Sequence, residues 1–262
     1  MPLPGQKIQP NRPPALASQA PAAINAIATP AEEPSFVQDP RLYIRAAPGA
    51  DLVPLPEHAL WWPLARTLFV ADVHLGKAAT FRARGLPVPA GTTAANLARL
   101  STLITGLGAE RLIVLGDFLH AAEAQTPALL AQLAQWRGHH AAVGMTLVRG
   151  NHDRHAGEPP PHLRIAVVDE PHVPYPGIAL ACCHHPQQLA GHTVLAGHVH
   201  PAVLLQGRGR DALRLPAFCH DPGLVLLPAF GDFTGAHTLG GGVSRQLYAV
   251  GGDKVWKLPA YT

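Results

Sequence analysis

The sequence has few of the residues that define disulfide-rich, membrane-spanning or strongly charged proteins. Its 262 residues include three cysteines, two of them adjacent, so no disulfide framework is visible and a reducing, cytoplasmic location is expected. Charged residues make up 14% of the chain and the formal net charge is +3, which by itself does not indicate a nucleic-acid-binding protein. Because no run of about twenty apolar residues is present, we expect no membrane span.

The N-terminal part of the chain differs in composition from the rest. Residues 1–40 are rich in proline and alanine and lack hydrophobic periodicity, which predicts a disordered extension. The segment has no continuous apolar stretch followed by a cleavage site, as a secretory signal peptide would. Hydrophobic residues make up 47% of the chain, enough for a sizeable core, and we expect residues 41–262 to form a single domain.

Beyond residue 50, short apolar runs alternate with helical patterns, which favours an α/β fold. Buried strands are predicted at Leu68–Ala71, Leu112–Leu115, Met145–Val148, Ile178–Cys183 and Thr193–Ala196. One helix is predicted to start at Thr92 as its cap and to stop at Gly106 and Gly108, and another to start near Pro127. Loops at the carboxyl ends of strands gather at one edge of an α/β sheet, so residues that follow these strands should meet.

Residues of the types that commonly bind metal ions follow these predicted strands. They are Asp72 and His74, Asp117, Asn151, His184 or His185, and His198 and His200. Such a mixture of oxygen and nitrogen ligands without thiolates suits Mn²⁺, Fe or Zn²⁺ better than Ca²⁺, and argues against a purely structural zinc site. Two ions that share Asp117 would lower the pKa of a water between them and hold phosphoryl oxygens. The sequence therefore predicts a site for two divalent ions that hydrolyses phosphate esters.

Two further histidines are candidates for direct roles in catalysis. His152 follows Asn151, so it is expected to face the substrate and to stabilise charge or protonate the leaving oxygen. His120 lies three residues after Asp117; it either pairs with His152 and sets its protonation, or caps a turn. Asp153 is expected either to accept a hydrogen bond from a ligand imidazole or to face solvent in a turn.

Several cations flank the predicted ligands. The predicted loop after His74 carries Lys77, Phe81, Arg82 and Arg84, and the block around His152 carries Arg149 and Arg154. The loop residues would follow a nucleic-acid backbone and stack a base, or would form a solvated loop. The two arginines would contact phosphate, or would be ordinary surface charge.

Taken together, the blocks resemble the calcineurin-like metallophosphoesterase superfamily. The matching stretches, in order, are Asp72-x-His74, Gly116-Asp117, Gly150-Asn151-His152-Asp153, His184 and Gly197-His198-x-His200. The resemblance implies a four-layer α/β/β/α sandwich. It also implies that one ion is bound by Asp72, His74 and His200, and the other by Asn151, His184 and His198, with Asp117 as the bridge. It favours His184 over His185 as the ligand.

Other stretches of the sequence indicate a subfamily within this superfamily. The chain lacks the Asp-Arg-Gly continuation that follows the Gly-Asp block in protein Ser/Thr phosphatases, and Asp117-Phe-Leu-His120 is similar to nucleases that process DNA breaks. Residues 69–82, 183–187, 196–201 and 227–235 resemble the bacterial DNA ligase-associated metallophosphoesterases. This similarity implies a Mn²⁺-dependent phosphodiesterase with DNA endonuclease activity in the DNA damage response. It also implies functional association with an ATP-dependent DNA ligase, a helicase and an exonuclease.

Two other functions remain open from the sequence alone. The same chemistry would serve a hydrolase of small phosphodiesters or phosphomonoesters that does not act on nucleic acid. A non-catalytic binding module on the same fold is the alternative of another class, although every expected ligand is present. The sequence does not distinguish these, nor does it give the physiological metal, endo against exo cleavage, or the oligomeric state.

Overall fold

The computed structural model describes residues 42–83, 85–88, 91–207 and 209–259. The predicted N-terminal extension and Arg84 lie outside these ranges. Of the helices within them, none has the length and apolar character needed to cross a membrane.

A seven-stranded sheet forms the first half of the described chain. Its strands are β1 (Ile44–Ala47), β2 (Ala50–Leu55), β3 (Ala59–Trp62), β4 (Thr67–Val70), β5 (Arg111–Leu115), β6 (Gly144–Val148) and β7 (Ile165–Val168). They are ordered β1 to β7 across the sheet, antiparallel from β1 to β4 and parallel from β4 to β7. Val70 is paired with Val114 and Leu115 with Val148, so the carboxyl ends of β4, β5 and β6 lie side by side.

The second sheet is mixed. Its strands are β8 (Leu180–Cys182), β9 (Thr193–Ala196), β10 (Pro201–Gln206), β11 (Ala212–Asp221), β12 (Leu224–Leu226), β13 (His237–Thr238), β14 (Gln246–Gly251) and β15 (Lys254–Lys257). β8, β9 and β12 are parallel neighbours. β11 pairs with β10 through its first half and with both β12 and β14 through its second half. The carboxyl ends of β8 and β9 therefore lie together, as in the first sheet.

The two sheets pack face to face. One cluster of buried side chains combines residues of the first sheet, such as Phe69 and Leu115, with residues of the second, such as Leu195 and Phe218. All four are fully buried. This core confirms the predicted α/β sandwich of two facing sheets.

The outer faces of the two sheets are covered differently. The first sheet packs against two helices, which contribute Leu100 and Leu133 to the buried cluster on that side. The outer face of the second sheet is covered by partly buried side chains such as Leu189 and Leu239. Within the described ranges no helix follows Leu163, so no described helix forms the second helical layer of the expected four-layer arrangement.

Four α-helices connect the strands of the first sheet. They are α1 (Lys77–Ala83), α2 (Thr92–Leu107), α3 (Pro127–His139) and α4 (Asn151–Ala156). α2 starts at Thr92 as predicted, but Gly91 is its cap, in a left-handed conformation, and no side chain caps the helix. Gly108, also left-handed, ends it. α3 starts at Pro127, and the hydroxyl of Thr126 accepts a hydrogen bond from a backbone N–H of the first turn.

Helix α1 lies where the sequence predicted a loop. It has only seven residues, which is too few to be stable without packing against the rest of the protein. A segment this short also shows no clear hydrophobic period in the sequence. Gly76 precedes it with a φ of +84°, and a Cβ there would lie 2.4 Å from Cβ of Ala124. Thr80 is buried on the inner side of the helix. Lys77 and Arg82 are therefore helical residues rather than loop residues.

Candidate metal centre

All seven predicted metal ligands lie two to four residues beyond the carboxyl end of a strand. Asp72 and His74 follow β4, Asp117 follows β5, Asn151 follows β6, His184 follows β8, and His198 and His200 follow β9. The first three strands are adjacent in one sheet and the last two are adjacent in the facing sheet. The seven side chains converge at the edge where the strands of both sheets end.

One group of ligands surrounds Asp72. Oδ1 of Asp72 lies 3.4 Å from Nε2 of His200, and one ligand atom each from Asp72, His74 and His200 lie within 4.8 Å of one another. Nε2 of His74 is 3.8 Å from Oδ2 of Asp117. These distances suit side chains that share a cation rather than pair with each other.

A second group lies on the other side of Asp117. Nε2 of His184 lies 3.5 Å from Oδ1 of Asp117, 2.9 Å from Oδ1 of Asn151 and 3.1 Å from Nδ1 of His198. Asp117 thus has one oxygen near each group. His185 lies at the edge of the second group and its Nδ1 is 2.7 Å from Oε1 of Glu170.

The two groups are buried on one side and open on the other. Asp72, His74, Asp117 and His184 are between 0% and 4% exposed. His198 is exposed. A small anion therefore has access to the ligand atoms from the His198 side, while the carboxylates remain shielded from bulk solvent.

The backbone at these ligands is held in an unusual conformation. Among the described residues, nine other than glycine have a positive φ, and five of them are predicted ligands: Asp72, His74, Asp117, His198 and His200. Left-handed backbone at such residues costs on the order of 1–3 kcal/mol each and is concentrated at functional sites. The fold therefore imposes these conformations, which turn the side chains toward a common point.

Close approach of backbone segments explains three glycines in the motifs. A Cβ on Gly116 would lie 2.2 Å from Nδ1 of His184, and one on Gly150 would lie 2.3 Å from Oδ1 of Asp117. A Cβ on Gly197 would lie 2.6 Å from an Asp72 oxygen. The glycines provide the space in which the ligand side chains meet.

Backbone carbonyls orient several imidazole rings. Nδ1 of His184 donates to the carbonyl of Leu115 at 3.0 Å, and Nδ1 of His200 donates to that of Gly235 at 2.9 Å. With the proton on Nδ1, the Nε2 lone pair of each ring is available for a cation. The carboxylates are also held, because Asp72 Oδ2 accepts a hydrogen bond from the His198 N–H at 2.9 Å.

The electrostatics of the centre suit a cation. Burial, with the charge of Asp72 as a further cause, raises the pKa of Asp117, because two carboxylates lie close together away from water. Burial and then the charge of Lys77 lower the pKa of His74 to about 2, so this ring is neutral. Oδ1 of Asp72 and Nδ1 of His74 are buried without a hydrogen-bond partner in the described structure. Unsatisfied buried donors and acceptors of this kind fit a divalent metal site.

The two predicted catalytic histidines lie beside the centre. Nδ1 of His152 donates to the backbone carbonyl of His120 at 2.7 Å, and the two rings stack with centroids 5.0 Å apart. Nε2 of His152 is 3.9 Å from Oδ2 of Asp117. His120 and His152 thus contact each other through a main-chain oxygen and through their stacked rings.

Asp153 has neither of the two roles expected from the sequence. It is 4% exposed, so it does not face solvent, and its carboxylate binds backbone rather than an imidazole. Oδ1 accepts from the N–H groups of Phe118 and Leu119, and Oδ2 accepts from that of Gly150. Its carboxylate therefore connects two loops, because it accepts hydrogen bonds from two backbone N–H groups after Asp117 and from one before Asn151.

Replacing Asp153 is expected to destabilise the fold. Asp153→Ala leaves three buried N–H groups without an acceptor, so the free energy of unfolding should fall by about 3 kcal/mol. Asp153→Asn keeps one carbonyl oxygen and should lose about half as much. Urea unfolding followed by circular dichroism measures both changes. A loss below about 0.5 kcal/mol for Asp153→Ala, as for an ordinary surface substitution, would contradict this role.

The two arginines beside the Asn-His block are bound by surface carboxylates. Arg149 pairs with Glu158 and Asp169, and Arg154 lies 3.6 Å from Asp169. These three contacts support the interpretation of both arginines as surface charge.

Two groups that orient the ligands were not found from the sequence. Glu170 accepts hydrogen bonds from the backbone N–H groups of His184 and His185 at 2.7 and 2.9 Å. Arg99, on α2, donates to the backbone carbonyl of Phe230 and its guanidinium lies 4.1 Å from the centre of that ring. Neither residue belongs to one of the sequence motifs. Both bind the backbone of another segment, and such contacts leave no pattern in the sequence.

Arg99 holds a segment, residues 227–235, that lies behind the first ligand group. The Phe230 N–H donates to the carbonyl of Ala71, and the Gly231 N–H donates to that of Asp72 at 3.0 Å. Gly235 supplies the carbonyl that orients His200. This segment is among the stretches that resemble the ligase-associated subfamily, and its contacts give it a positioning role.

Comparisons with known proteins agree with this geometry. The model of the calcineurin-like phosphoesterase family matches residues 65–195, a range that contains the predicted ligands up to His184. The crystal structure of Pseudomonas putida nuclease MPE is 47% identical in sequence, with a TM-score of 0.70, and the match covers 81% of this chain and 98% of that chain. No curated protein matched the chain.

A second solved structure is more distant. It is Yfce, a phosphoesterase from E. coli, at 16% identity and a TM-score of 0.39, with 73% of this chain and 97% of that chain covered. The match to MPE is consistent with the ligase-associated subfamily. On the family model and the 47% identity, the chain belongs to the calcineurin-like phosphoesterases and is a metal-dependent phosphoesterase.

Proposed function

We propose that this protein is a binuclear phosphodiesterase that cleaves DNA internally. The observation that carries the proposal is the position of Asp117 between two groups of ligands. Its Oδ2 lies 3.8 Å from Nε2 of His74 and its Oδ1 lies 3.5 Å from Nε2 of His184. A carboxylate with one oxygen toward each of two imidazole groups is the arrangement that two neighbouring cations require.

The ligand assignment follows from the two groups. Asp72, His74 and His200 would bind one cation, and Asn151, His184 and His198 the other, with Asp117 shared. The burial of His184 and the bond from His185 to Glu170 support His184 as the ligand. When bound, two such cations supply a water of lowered pKa and neutralise charge on the phosphoryl oxygens.

His152 would act on the substrate directly. Its Nδ1 is held by the His120 carbonyl, which leaves its Nε2 available beside the centre, 3.9 Å from Oδ2 of Asp117 in a partly exposed side chain. From there Nε2 can donate a proton to the oxygen that leaves the phosphate. The stacked ring of His120 keeps that orientation, since it limits rotation of the His152 ring.

The finer assignments rest on similarity. The neighbour of 47% identity is a nuclease, which supports nucleic acid as the substrate. The subfamily resemblance supports Mn²⁺ as the metal, a function in the DNA damage response, and association with an ATP-dependent ligase, a helicase and an exonuclease. Cys182, Cys183 and Cys219 are buried and free, as a cytoplasmic protein would have them. We interpret residues 41–262 as the one domain that carries the activity.

A panel of substrates tests the proposal. We expect Mn²⁺-dependent hydrolysis of bis-p-nitrophenyl phosphate and internal cleavage of a circular single-stranded DNA, both abolished by EDTA. Circular DNA has no ends, so its cleavage identifies an endonuclease. Hydrolysis of small diesters without any cleavage of DNA would instead support a hydrolase of small substrates. If the protein binds no Mn²⁺, Fe or Zn²⁺ and cleaves nothing, the catalytic assignment is wrong.

A further inference from the structure

Helix α1 presents two side chains that the proposed reaction has not used. Lys77 and Phe81 are four residues apart, so they lie on the same face of the helix. The Lys77 ammonium is 5.8 Å from the centre of the Phe81 ring. That ring in turn contacts the ring of His120 at 5.9 Å, edge to face. The shared face of α1 therefore borders the catalytic histidines.

The Lys77 side chain is half-buried beside the metal centre. Its charge interacts with the carboxylates of Asp72 and Asp117, and also with the rings of His74 and His200. Among the described side chains, none forms an ion pair with it. Divalent cations bound there would neutralise the two carboxylates, and an anion placed between the cations and the ammonium would then be attracted by both.

A phosphodiester supplies such an anion. Lys donors bind phosphate as compact point charges, without the fixed geometry of arginine. Phe81 is partly exposed, and an aromatic ring at the border of a phosphate site is suited to stack a nucleobase of a single strand. Arg82, the next residue, is exposed and does not share the face of Lys77 and Phe81.

We propose that α1 is the nucleotide-binding wall of this site: Lys77 binds an oxygen of the scissile phosphate, and Phe81 stacks the adjacent base. The proposal rests on the proposed phosphodiesterase function and makes the substrate of that centre a single-stranded nucleic acid. Neither side chain binds metal. Loss of either should therefore weaken substrate binding and leave metal content unchanged.

Two variants separate the two roles. Lys77→Met keeps the alkyl stem and removes the charge, and kcat/KM should fall about 10- to 100-fold for both bis-p-nitrophenyl phosphate and an oligonucleotide. Phe81→Leu should lower kcat/KM about 5- to 10-fold for an oligonucleotide. With an oligonucleotide that has an abasic analogue beside the cleaved bond, Phe81→Leu and the wild type should be equal. Binding of a fluorescent, non-cleavable oligonucleotide to the metal-loaded protein should weaken in both variants.

Arg82→Met is the matched control, since it removes a charge from the same helix. If Arg82→Met and Lys77→Met weaken cleavage equally, the effect is general attraction of the strand and the assignment of Lys77 is wrong. If Phe81→Leu lowers cleavage of normal and abasic strands alike, stacking is excluded. A wild-type protein that cleaves no diester would instead refute the proposed function itself. Thermal unfolding and metal analysis of each variant identify any loss that comes from misfolding.

Discussion

Asp117→Asn is expected to lower metal-dependent diester hydrolysis by about 10³-fold or more. Asp117 provides one oxygen to each ligand group, and the amide of asparagine offers a single neutral oxygen in place of two that share a negative charge. With the bridge lost, the two cations would no longer be held around one water. Initial rates with bis-p-nitrophenyl phosphate and Mn²⁺ measure the loss, and elemental analysis measures the metal retained.

The same substitution should leave the metal-free fold intact. The Asp117 Oδ1 accepts the His152 N–H at 2.8 Å, and an asparagine oxygen can accept it too. Burial and the charge of Asp72 raise the pKa of Asp117, so its ionised form is unfavourable without a cation. In EDTA the variant should therefore unfold at a temperature no lower than that of the wild type. With Mn²⁺ only the wild type should gain stability.

Asp253→Asn provides the matched control, because it makes the same chemical change on the exposed turn between β14 and β15. Its activity and its response to Mn²⁺ should equal those of the wild type. If Asp117→Asn, correctly folded, still hydrolyses the diester at the wild-type rate, Asp117 is not a bridge. The assignment of two cations would then be wrong.

The sequence predicted those features of the centre that depend on which residues directly follow each strand. Each block follows an apolar run, and a buried parallel strand leaves little choice about where its carboxyl end lies. The order of strands therefore predicted that the blocks converge, whereas the division into two groups that share Asp117 came from the family resemblance. The same logic predicted both long helices, because α2 and α3 each bury leucines at helical spacing and have recognisable ends.

The sequence did not predict contacts that side chains make with backbone groups or with segments distant in the chain. Asp153 was expected near an imidazole, but its three partners are backbone amides, which have no side-chain signature. Glu170 and Arg99 act in the same way on segments 14 and 131 residues away. Helix α1 was missed because a seven-residue helix is stabilised by packing rather than by its own periodicity. Such contacts exist only after the chain has folded.

His152→Gln is expected to lower kcat for DNA cleavage about 10²- to 10³-fold with little change in metal content. The Nε2 of His152 lies 3.9 Å from Oδ2 of Asp117 in a partly exposed side chain, and its other nitrogen is fixed by the His120 carbonyl. Glutamine has a similar reach and keeps a hydrogen-bond donor, but it cannot transfer a proton. Single-turnover cleavage of an oligonucleotide measures the change in rate, and elemental analysis measures the metal retained.

Substrates with different leaving groups show whether His152 transfers a proton or only positions the substrate. A sugar hydroxyl is a much poorer leaving group than p-nitrophenolate, so a general acid matters more for DNA than for bis-p-nitrophenyl phosphate. His152→Gln should therefore impair DNA cleavage more than hydrolysis of the small diester. His120→Gln should cost about 10-fold or less on both, because the carbonyl that accepts the His152 hydrogen bond is main chain and remains in the variant. Equal losses on both substrates, together with loss of metal, would make His152 a ligand instead of an acid.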